Sequence, residues 1–132
     1  MKTHILDSWA VMAFFKKEAA HLKIKTILDT AASGKLRLIM SVINLAEVYY
    51  KLYRRVGKLE AQKSIASLMR VPIEIISASD SLIFEAAEIK AVYPIAFGDC
   101  FAAAVAKREK GAILTGDPEF RKLKMIVKIE WL

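Results

Sequence analysis

Short apolar runs alternate with longer segments of helical periodicity along the whole chain, and this alternation limits the possible folds more than any other feature. Apolar runs that are too short for helices and end at turn or capping residues are typical of buried strands. Strands separated by helices form a mostly parallel sheet with helices on both faces. The sequence therefore predicts a single domain, residues 1–132, folded as a three-layer α/β/α sandwich with a mostly parallel central sheet.

The predicted elements follow this alternation in order. The predicted strands are residues 5–6, 36–40, 73–76, 112–114 and an edge strand, 125–129. The predicted helices are residues 9–15, 19–32, 42–55, 59–69, 81–92 and 98–110, with one further helical turn after Asp117. Ser41 is expected to cap the third helix, and Gly57 is expected to separate the third and fourth helices into a hairpin.

Composition indicates a basic protein without a membrane span. At 132 residues the chain has the usual size of one domain, and no apolar stretch approaches the ~20 residues needed to cross a bilayer. The first residues lack a secretory signal pattern, and the single Cys100 cannot form an internal disulfide, so a cytoplasmic location is expected. The formal charge of +7 favours a polyanionic partner, although a merely basic surface explains it equally well.

Two aspartates follow predicted strands at the point where each strand ends. Asp7 comes after Ile5-Leu6, and Asp117 comes after Ile113-Leu114 and the turn Thr115-Gly116. Open α/β sheets bind their ligands at the carboxyl ends of the strands. If these two strands are parallel neighbours, the two carboxylates converge.

Two more acidic residues are candidates for the same place. Asp99 opens a helix after Gly98, and Glu47 lies on a helix face bordered by apolar residues. Asp7, Asp99 and Asp117 each stand where aspartate commonly caps a helix, so capping alone would explain any one of them. A glutamate within a helix usually faces solvent, but the apolar neighbours of Glu47 leave its carboxylate in need of a partner.

Carboxylates gathered at one place repel each other unless a cation balances them. Oxygen ligands without a pattern of His or Cys select hard divalent ions, Mg²⁺ or Mn²⁺. Such a site can activate water and stabilise the charge that builds up on a phosphodiester. Grouped acids in a basic protein therefore favour a metal site with phosphates nearby.

The segments that contain these acids also resemble a known family in their order and spacing. The matching segments are Ile5-Leu6-Asp7-Ser8, Asn44-Leu45-Ala46-Glu47-Val48, Tyr93 to Cys100 with Ala103 and Ala106 after it, and Leu114 to Phe120. Together they resemble the PIN-domain ribonucleases, and within them the VapC-type toxins of toxin–antitoxin pairs. The resemblance extends over nearly the whole chain.

This resemblance implies an active site and a set of partners. It implies that four acids are the ligands of Mg²⁺ or Mn²⁺: Asp7, Glu47, Asp99 and Asp117. Thr115, and as a weaker match Ser8, correspond to hydroxyls that order water or substrate. Family members cut RNA endonucleolytically, form homodimers and are inhibited by a small VapB-type antitoxin whose C-terminal segment lies across the active site. Glu119 adds a further carboxylate whose role is open.

Several other side chains have both a functional and a structural interpretation. Cys100 lies beside Asp99, but neither His4 nor His21 stands in an arrangement that would activate it, so a packed side chain is favoured. His4 is expected to be structural. After Glu47, three basic residues are compatible with phosphate contacts and equally with a solvated helix end: Lys51, Arg54 and Arg55. Three tyrosines are compatible with base stacking or with a dimer or antitoxin groove, although packing is the more common use at this spacing: Tyr49, Tyr50 and Tyr53.

Three other functions fit parts of the pattern. A non-catalytic, nucleic-acid-binding scaffold of PIN-like fold would be expected to lack one of the four acids. An aspartyl-phosphate phosphatase would have a second acid two residues after the first, where Trp9 stands. A phospho-acceptor signalling domain would need an aspartate at the end of a central strand, and Met40-Ser41 and Ile76-Ser77 supply none. A metal-dependent endoribonuclease is therefore the favoured function.

Overall fold

The computed structural model describes all residues, 1–132, and its elements alternate as the sequence predicts. The strands are β1 (Lys2–Leu6), β2 (Leu36–Ser41), β3 (Ile73–Ile76), β4 (Ala112–Thr115) and β5 (Lys128–Trp131). The helices are α1 (Ser8–Phe15), α2 (His21–Ala32), α3 (Val42–Val56), α4 (Lys58–Leu68), α5 (Asp80–Val92) and α6 (Phe97–Glu109), with a 3₁₀-helix at Pro118–Leu123.

The strands form one sheet in the order β3-β2-β1-β4-β5, and every pair of neighbours is parallel. From β1 the chain adds β2 and β3 on one side and then crosses back to add β4 and β5 on the other. The strand order therefore reverses between β1 and β4, which is where open α/β sheets form a ligand crevice. The predicted sandwich is confirmed, and its sheet is entirely parallel.

Alternate residues of the central strands pack on opposite faces of the sheet. Ile5 is in register with Ile39, and both belong to the core that the sheet forms with α5, α6 and the 3₁₀-helix. Leu6 is in register with Met40, and both belong to the core on the other face, formed with α1 to α4. Because helices cover both faces, the central segments Ile5-Leu6, Leu38-Ile39-Met40 and Ile113-Leu114 are continuously apolar and show no alternation.

Helix α6 lies directly against the sheet because its interior residues are small. The segment Ala102–Ala106 is at most 2% exposed, and α6 contacts β1, β2 and β4. The C-terminal end of α6 leads into β4, so its N-terminal end lies near the carboxyl edge of the sheet. This places the first turn of α6 beside the strand ends.

The predicted start of the first strand is wrong. β1 begins at Lys2 instead of residue 5, because its polar first half also pairs with β2, starting at Leu36. Backbone pairing in a sheet does not require apolar side chains, so hydrophobicity alone could not locate this start. The second helix likewise begins at His21 instead of residue 19.

The predicted position of the last strand is also wrong, since β5 covers Lys128–Trp131 instead of residues 125–129. The 3₁₀-helix continues into a turn in which the N–H groups of Ile126 and Val127 both donate to the Leu123 carbonyl. These residues are therefore unavailable to the sheet, and pairing with β4 starts at Lys128. The edge position of the strand is confirmed.

The local signals around α3 are confirmed. Ser41 Oγ accepts a hydrogen bond from the N–H of Ile43 at 3.1 Å, which caps the helix. Gly57 has a φ of 85°, a conformation that favours glycine, and it separates α3 from α4. No single helix has the length and apolar character of a membrane span, and only α5 and α6 taken together pass that test, with a bend of 115° between them.

A pair of substitutions on α2 tests how this helix is oriented. Ile24 is 1% exposed and Leu22 is 73% exposed, although both lie on the same helix. Ile24→Ala should lower the free energy of unfolding by about 2–5 kcal/mol, because it removes buried methyl groups and leaves a cavity. Leu22→Ala should change it by less than about 0.5 kcal/mol. Urea unfolding measures the free energy of unfolding of both variants. Equal losses of stability would contradict the orientation of α2, with Ile24 in the core and Leu22 in solvent.

Candidate active site

Asp7 follows β1 and caps α1, and it is buried at the same time. Its Oδ1 accepts a hydrogen bond from the N–H of Ala10 at 2.8 Å, and the residue is 1% exposed. Burial raises the pKa of Asp7 to about 7; the Thr115 hydroxyl and the Ala10 N–H counteract this rise, whereas nearby Asp99 and Asp117 add to it. Asp7 therefore does cap α1. A carboxylate that served only as a cap would be exposed to solvent, whereas the Asp7 carboxylate is buried.

Thr115 ends β4 and connects two of the acids through its buried hydroxyl. Its Oγ1 accepts a hydrogen bond from the N–H of Asp117 at 3.0 Å, and the same hydroxyl lies close enough to Asp7 to lower the pKa of that carboxyl. Asp117 in turn caps the 3₁₀-helix by accepting the N–H of Glu119 at 3.0 Å. β1 and β4 are parallel neighbours with Leu6 beside Leu114, so Asp7 and Asp117 follow adjacent strand ends at the reversal of strand order.

Glu47 lies near the same edge of the sheet on α3, where Asn44 holds its carboxylate. Asn44 Nδ2 donates to Glu47 Oε1 at 2.9 Å and to the Gly98 carbonyl at 3.0 Å. Asn44 is completely buried, and its Oδ1 has no hydrogen-bond partner. A Cβ at Gly98 would lie 2.4 Å from Glu47 Oε2, so any larger residue at this position would displace the Glu47 carboxylate. These contacts fix α3 against the first turn of α6.

Asp99 lies in that first turn of α6 and is surrounded by the other carboxylates. The pKa of Asp99 is raised to about 6, mainly by burial and also by Asp117, Glu47 and Glu119, while Lys51 partly counteracts this rise. Carboxylates influence each other in this way only when they are close together. The structure therefore brings together the acids that the sequence singled out.

Three of these acids, Glu47, Asp99 and Asp117, line one cleft of about 420 Å³. Asp7 is too deeply buried to line the cleft. Helix α1 contributes Ser8, Trp9, Met12 and Lys16 to the wall, and α3 contributes Lys51. Two larger cavities, of about 560 and 530 Å³, lie elsewhere and contain none of the four acids.

The donor set of this cleft fits a hard divalent ion. Its acids supply only oxygen atoms, and the neighbouring hydroxyls of Ser8 and Thr115 are oxygen donors as well, which suits Mg²⁺ or Mn²⁺. The burial of Asp7 without a cationic partner also indicates a missing positive charge. Among the His, Cys, Asp and Glu side chains, no three are already arranged around one point as ligands, so water molecules or side-chain rotation would complete a site.

Sequence reasoning missed the part played by Asn44. Its position three residues before Glu47 on one helix places both side chains on the same face, and this spacing is the signal that could have found it. Its second contact, with Gly98, has no local signal. Glu119, whose role was open, is exposed and forms an ion pair with Lys122.

The remaining candidates lie outside the cleft or are packed. Cys100 is fully buried, and burial raises the pKa of its thiol to about 11. His4 has a buried Nδ1 without a partner, and burial lowers its pKa. Tyr50 packs under the guanidinium of Arg54, 5.0 Å from the ring centroid, so this pair is engaged within α3.

Comparison with known sequences decides the family. The family profile described as PIN domain matches residues 5–125, nearly the whole chain. The chain belongs to the PIN-domain family. Among curated proteins, none matches the sequence significantly.

Solved structures similar to this PIN domain share its fold at low identity. VapBC2 from Rickettsia felis, bound to a DNA fragment from its promoter, has a TM-score of 0.78 at 20% identity over 98% of each chain. VapC20 from Mycobacterium tuberculosis, a sarcin–ricin loop cleaving toxin, has a TM-score of 0.77 at 18% identity over 96% of this chain and 98% of that one. DNA-bound VapBC from Salmonella typhimurium has a TM-score of 0.75 at 17% identity over 99% and 98%.

The buried position of Asp7 predicts how stability depends on pH when metal is chelated. Its pKa is higher in the folded protein, about 7, than its ordinary value of 3.8, so the unfolded chain ionises first as the pH rises. As the pH rises between these two pKa values, the parent should lose more stability than Asp7→Asn, because the variant lacks this titration and keeps only that of Asp99. At pH 8 the variant should be more stable by up to about 4 kcal/mol, since each pH unit is worth about 1.4 kcal/mol.

Urea unfolding in a chelator at pH 4 and pH 8 measures this effect. Near pH 4 the two proteins should have nearly equal stability, because Asp7 is protonated in the folded parent and asparagine preserves the helix cap. Asp29→Asn, at an exposed position on α2, is the matched control: it keeps Asp7, so it should lose stability between pH 4 and pH 8 as the parent does. A parent at least as stable as the variant at pH 8 would contradict the predicted burial of an uncompensated carboxylate.

Proposed function

We propose that this PIN domain is a metal-dependent endoribonuclease and the toxin of a VapBC-type toxin–antitoxin pair. The observation that carries the proposal is that Glu47, Asp99 and Asp117 line one cleft, with the buried Asp7 close to Asp99 and Asp117. A binding scaffold has no need of carboxylates held together against their mutual repulsion, whereas metal-assisted cleavage of a phosphodiester does. The likeness to VapC20, a toxin that cleaves the sarcin–ricin loop, supports RNA as the substrate.

The four acids would hold Mg²⁺ or Mn²⁺. When bound, such an ion supplies positive charge for the phosphate oxygens and for an attacking water. The chain itself positions the acids: Thr115 orients Asp7 and the backbone of Asp117, and Asn44 orients Glu47. Lys51 lies close enough to Asp99 to lower the pKa of that carboxyl. A phosphate bound in the cleft would contact the Lys51 ammonium group.

The proposal includes partners. Similar structures are VapBC complexes, including one from Haemophilus influenzae at 17% identity, so we propose a VapB-type antitoxin as the partner. We also propose that the protein acts in the cytoplasm as a homodimer. An inhibitory antitoxin is consistent with a cleft that is open to solvent.

Cleavage of a mixed RNA pool tests the enzymatic proposal. The parent should cut RNA with Mg²⁺ or Mn²⁺ and stop when a chelator is added. Asp7→Asn and Asp99→Asn should each lower the rate by at least about 10- to 100-fold, because a lost ligand costs no less than a lost outer-shell partner. Glu119→Gln is the matched control at the edge of the site, and its rate should stay close to that of the parent.

The outcomes of this experiment separate the candidate functions. RNA binding without metal-dependent cutting would favour the non-catalytic scaffold and overturn the enzymatic proposal. Cutting that survives the chelator or the Asp99→Asn change would show that the acids do not carry the reaction. Release of phosphate from small phosphomonoesters, with RNA left intact, would instead favour the phosphatase.

Asn44 supplies a second test, on metal binding. Asn44→Ala removes both hydrogen bonds that hold Glu47 and Gly98, and it should weaken Mn²⁺ affinity by about 10- to 100-fold. Ser41→Ala is the matched control, because it removes the cap of the same helix without touching Glu47. Both variants should lose stability, by about 1 kcal/mol for Ser41→Ala. Calorimetric titration that finds equal Mn²⁺ affinities for the two variants would refute the role of Asn44.

A further inference from the structure

Trp9 forms part of the cleft wall beside the acids. It stands in the first turn of α1, directly after Asp7 and Ser8, and it lines the same cleft as Glu47 and Asp99. A half-buried tryptophan there gives the cleft an aromatic surface next to its carboxylates. The roles proposed above for the four acids and Thr115 do not involve this aromatic surface.

The Gly116 backbone supports one face of the Trp9 ring. A Cβ at Gly116 would lie 2.2 Å from Trp9 Cη2 and 2.6 Å from both Cζ2 and Cζ3. Cζ2 and Cζ3 are the two ring neighbours of Cη2. Because the Cβ position is equally far from both, and only slightly farther from them than from Cη2, it lies above the face of the ring and not beyond its edge. Because Thr115 and Asp117 flank Gly116, this contact also fixes the ring relative to the acids.

The rest of the cleft adds groups that suit a nucleotide. Met12 lies one turn after Trp9 on α1 and lines the same wall, which extends the apolar surface. Lys16 is also on this wall, but it is paired with Glu18 at 2.9 Å. Lys51, which α3 contributes to the cleft, forms no ion pair within the chain. The cleft therefore combines an aromatic wall, carboxylates and one available cation.

We propose that Trp9, with Met12 beside it, is a base-stacking platform that holds one nucleobase of single-stranded RNA next to the phosphate that is cut. This inference rests on the proposed function and adds to it the form of the substrate, an unpaired base. Bases of single-stranded RNA stack on aromatic side chains, and such stacking accepts any base. The platform would thus position the RNA strand without selecting its sequence.

A purely structural role for Trp9 makes different predictions. Both Trp9 and Met12 also contact the core formed with α1 to α4, so their loss would lower stability in either case. A structural tryptophan would affect the amount of folded enzyme and hence the apparent kcat. A stacking tryptophan would affect KM and would respond to bound RNA.

Fluorescence gives a direct reading of the Trp9 ring. The chain has two tryptophans, so Trp131→Phe leaves Trp9 as the single tryptophan reporter. This protein, with Asp99→Asn added to prevent cleavage, is titrated with a short mixed-sequence single-stranded RNA. Its emission should be quenched with saturation. An oligomer of the same length that has the sugar–phosphate backbone but lacks bases should bind, as polarisation reports, without quenching.

Kinetics of the metal-loaded enzyme gives the second reading. Trp9→Ala should raise KM for single-stranded RNA by about 5- to 150-fold, the range found when a stacking aromatic is replaced by alanine, and leave kcat nearly unchanged. Trp9→Phe should raise KM less, because it retains an aromatic face. Trp131→Phe is the control at the other tryptophan and should behave like the parent.

The results separate this inference from the function on which it rests. An enzyme that cuts RNA but shows no Trp9 quenching, or whose KM is unchanged in Trp9→Ala, would overturn the stacking platform and leave the ribonuclease intact. A parent that neither binds nor cuts RNA would overturn both. If Trp9→Ala does not fold, Trp9→Phe and the fluorescence titration still decide.

Discussion

The site depends on one constraint: carboxylates that repel each other are held at one edge of the sheet by groups that carry no positive charge. Asp7 is the clearest case, because its nearly complete burial is compensated only by the Ala10 N–H and the Thr115 hydroxyl. Neutral donors recover only part of the cost of burying a charge. The folded chain therefore keeps this edge at a cost in stability, which its two large cores offset, as is common at functional sites.

The fold positions this edge through contacts between separate segments. Adjacent parallel strands bring Asp7 and Asp117 together where the strand order reverses. The Asn44 side chain and the missing Cβ at Gly98 lock α3 against α6, which brings Glu47 beside Asp99. Asp7, Glu47 and Asp117 are thus held by backbone groups or a buried side chain, and such support keeps a site preorganised.

The same structure bears on the alternatives. A phosphatase that forms an aspartyl phosphate would have its second acid at the position of Trp9, and here that side chain packs on the Gly116 backbone. A carboxylate there would add further repulsion to a cleft that already holds several. Trp9 instead extends the apolar wall of the cleft, and an apolar wall suits a nucleobase better than a small phosphorylated substrate.

The sequence by itself determined the alternation of elements, the Ser41 cap, the Gly57 break and the acids at strand ends, because periodicity and capping act over a few residues. It did not determine where β1 begins or where β5 lies, since backbone pairing depends on the neighbouring strand. Only the tertiary structure decided that Asn44 meets Gly98, 54 residues away, and that Trp9 meets Gly116. Contacts between distant segments follow from how the layers pack, and local patterns do not encode them.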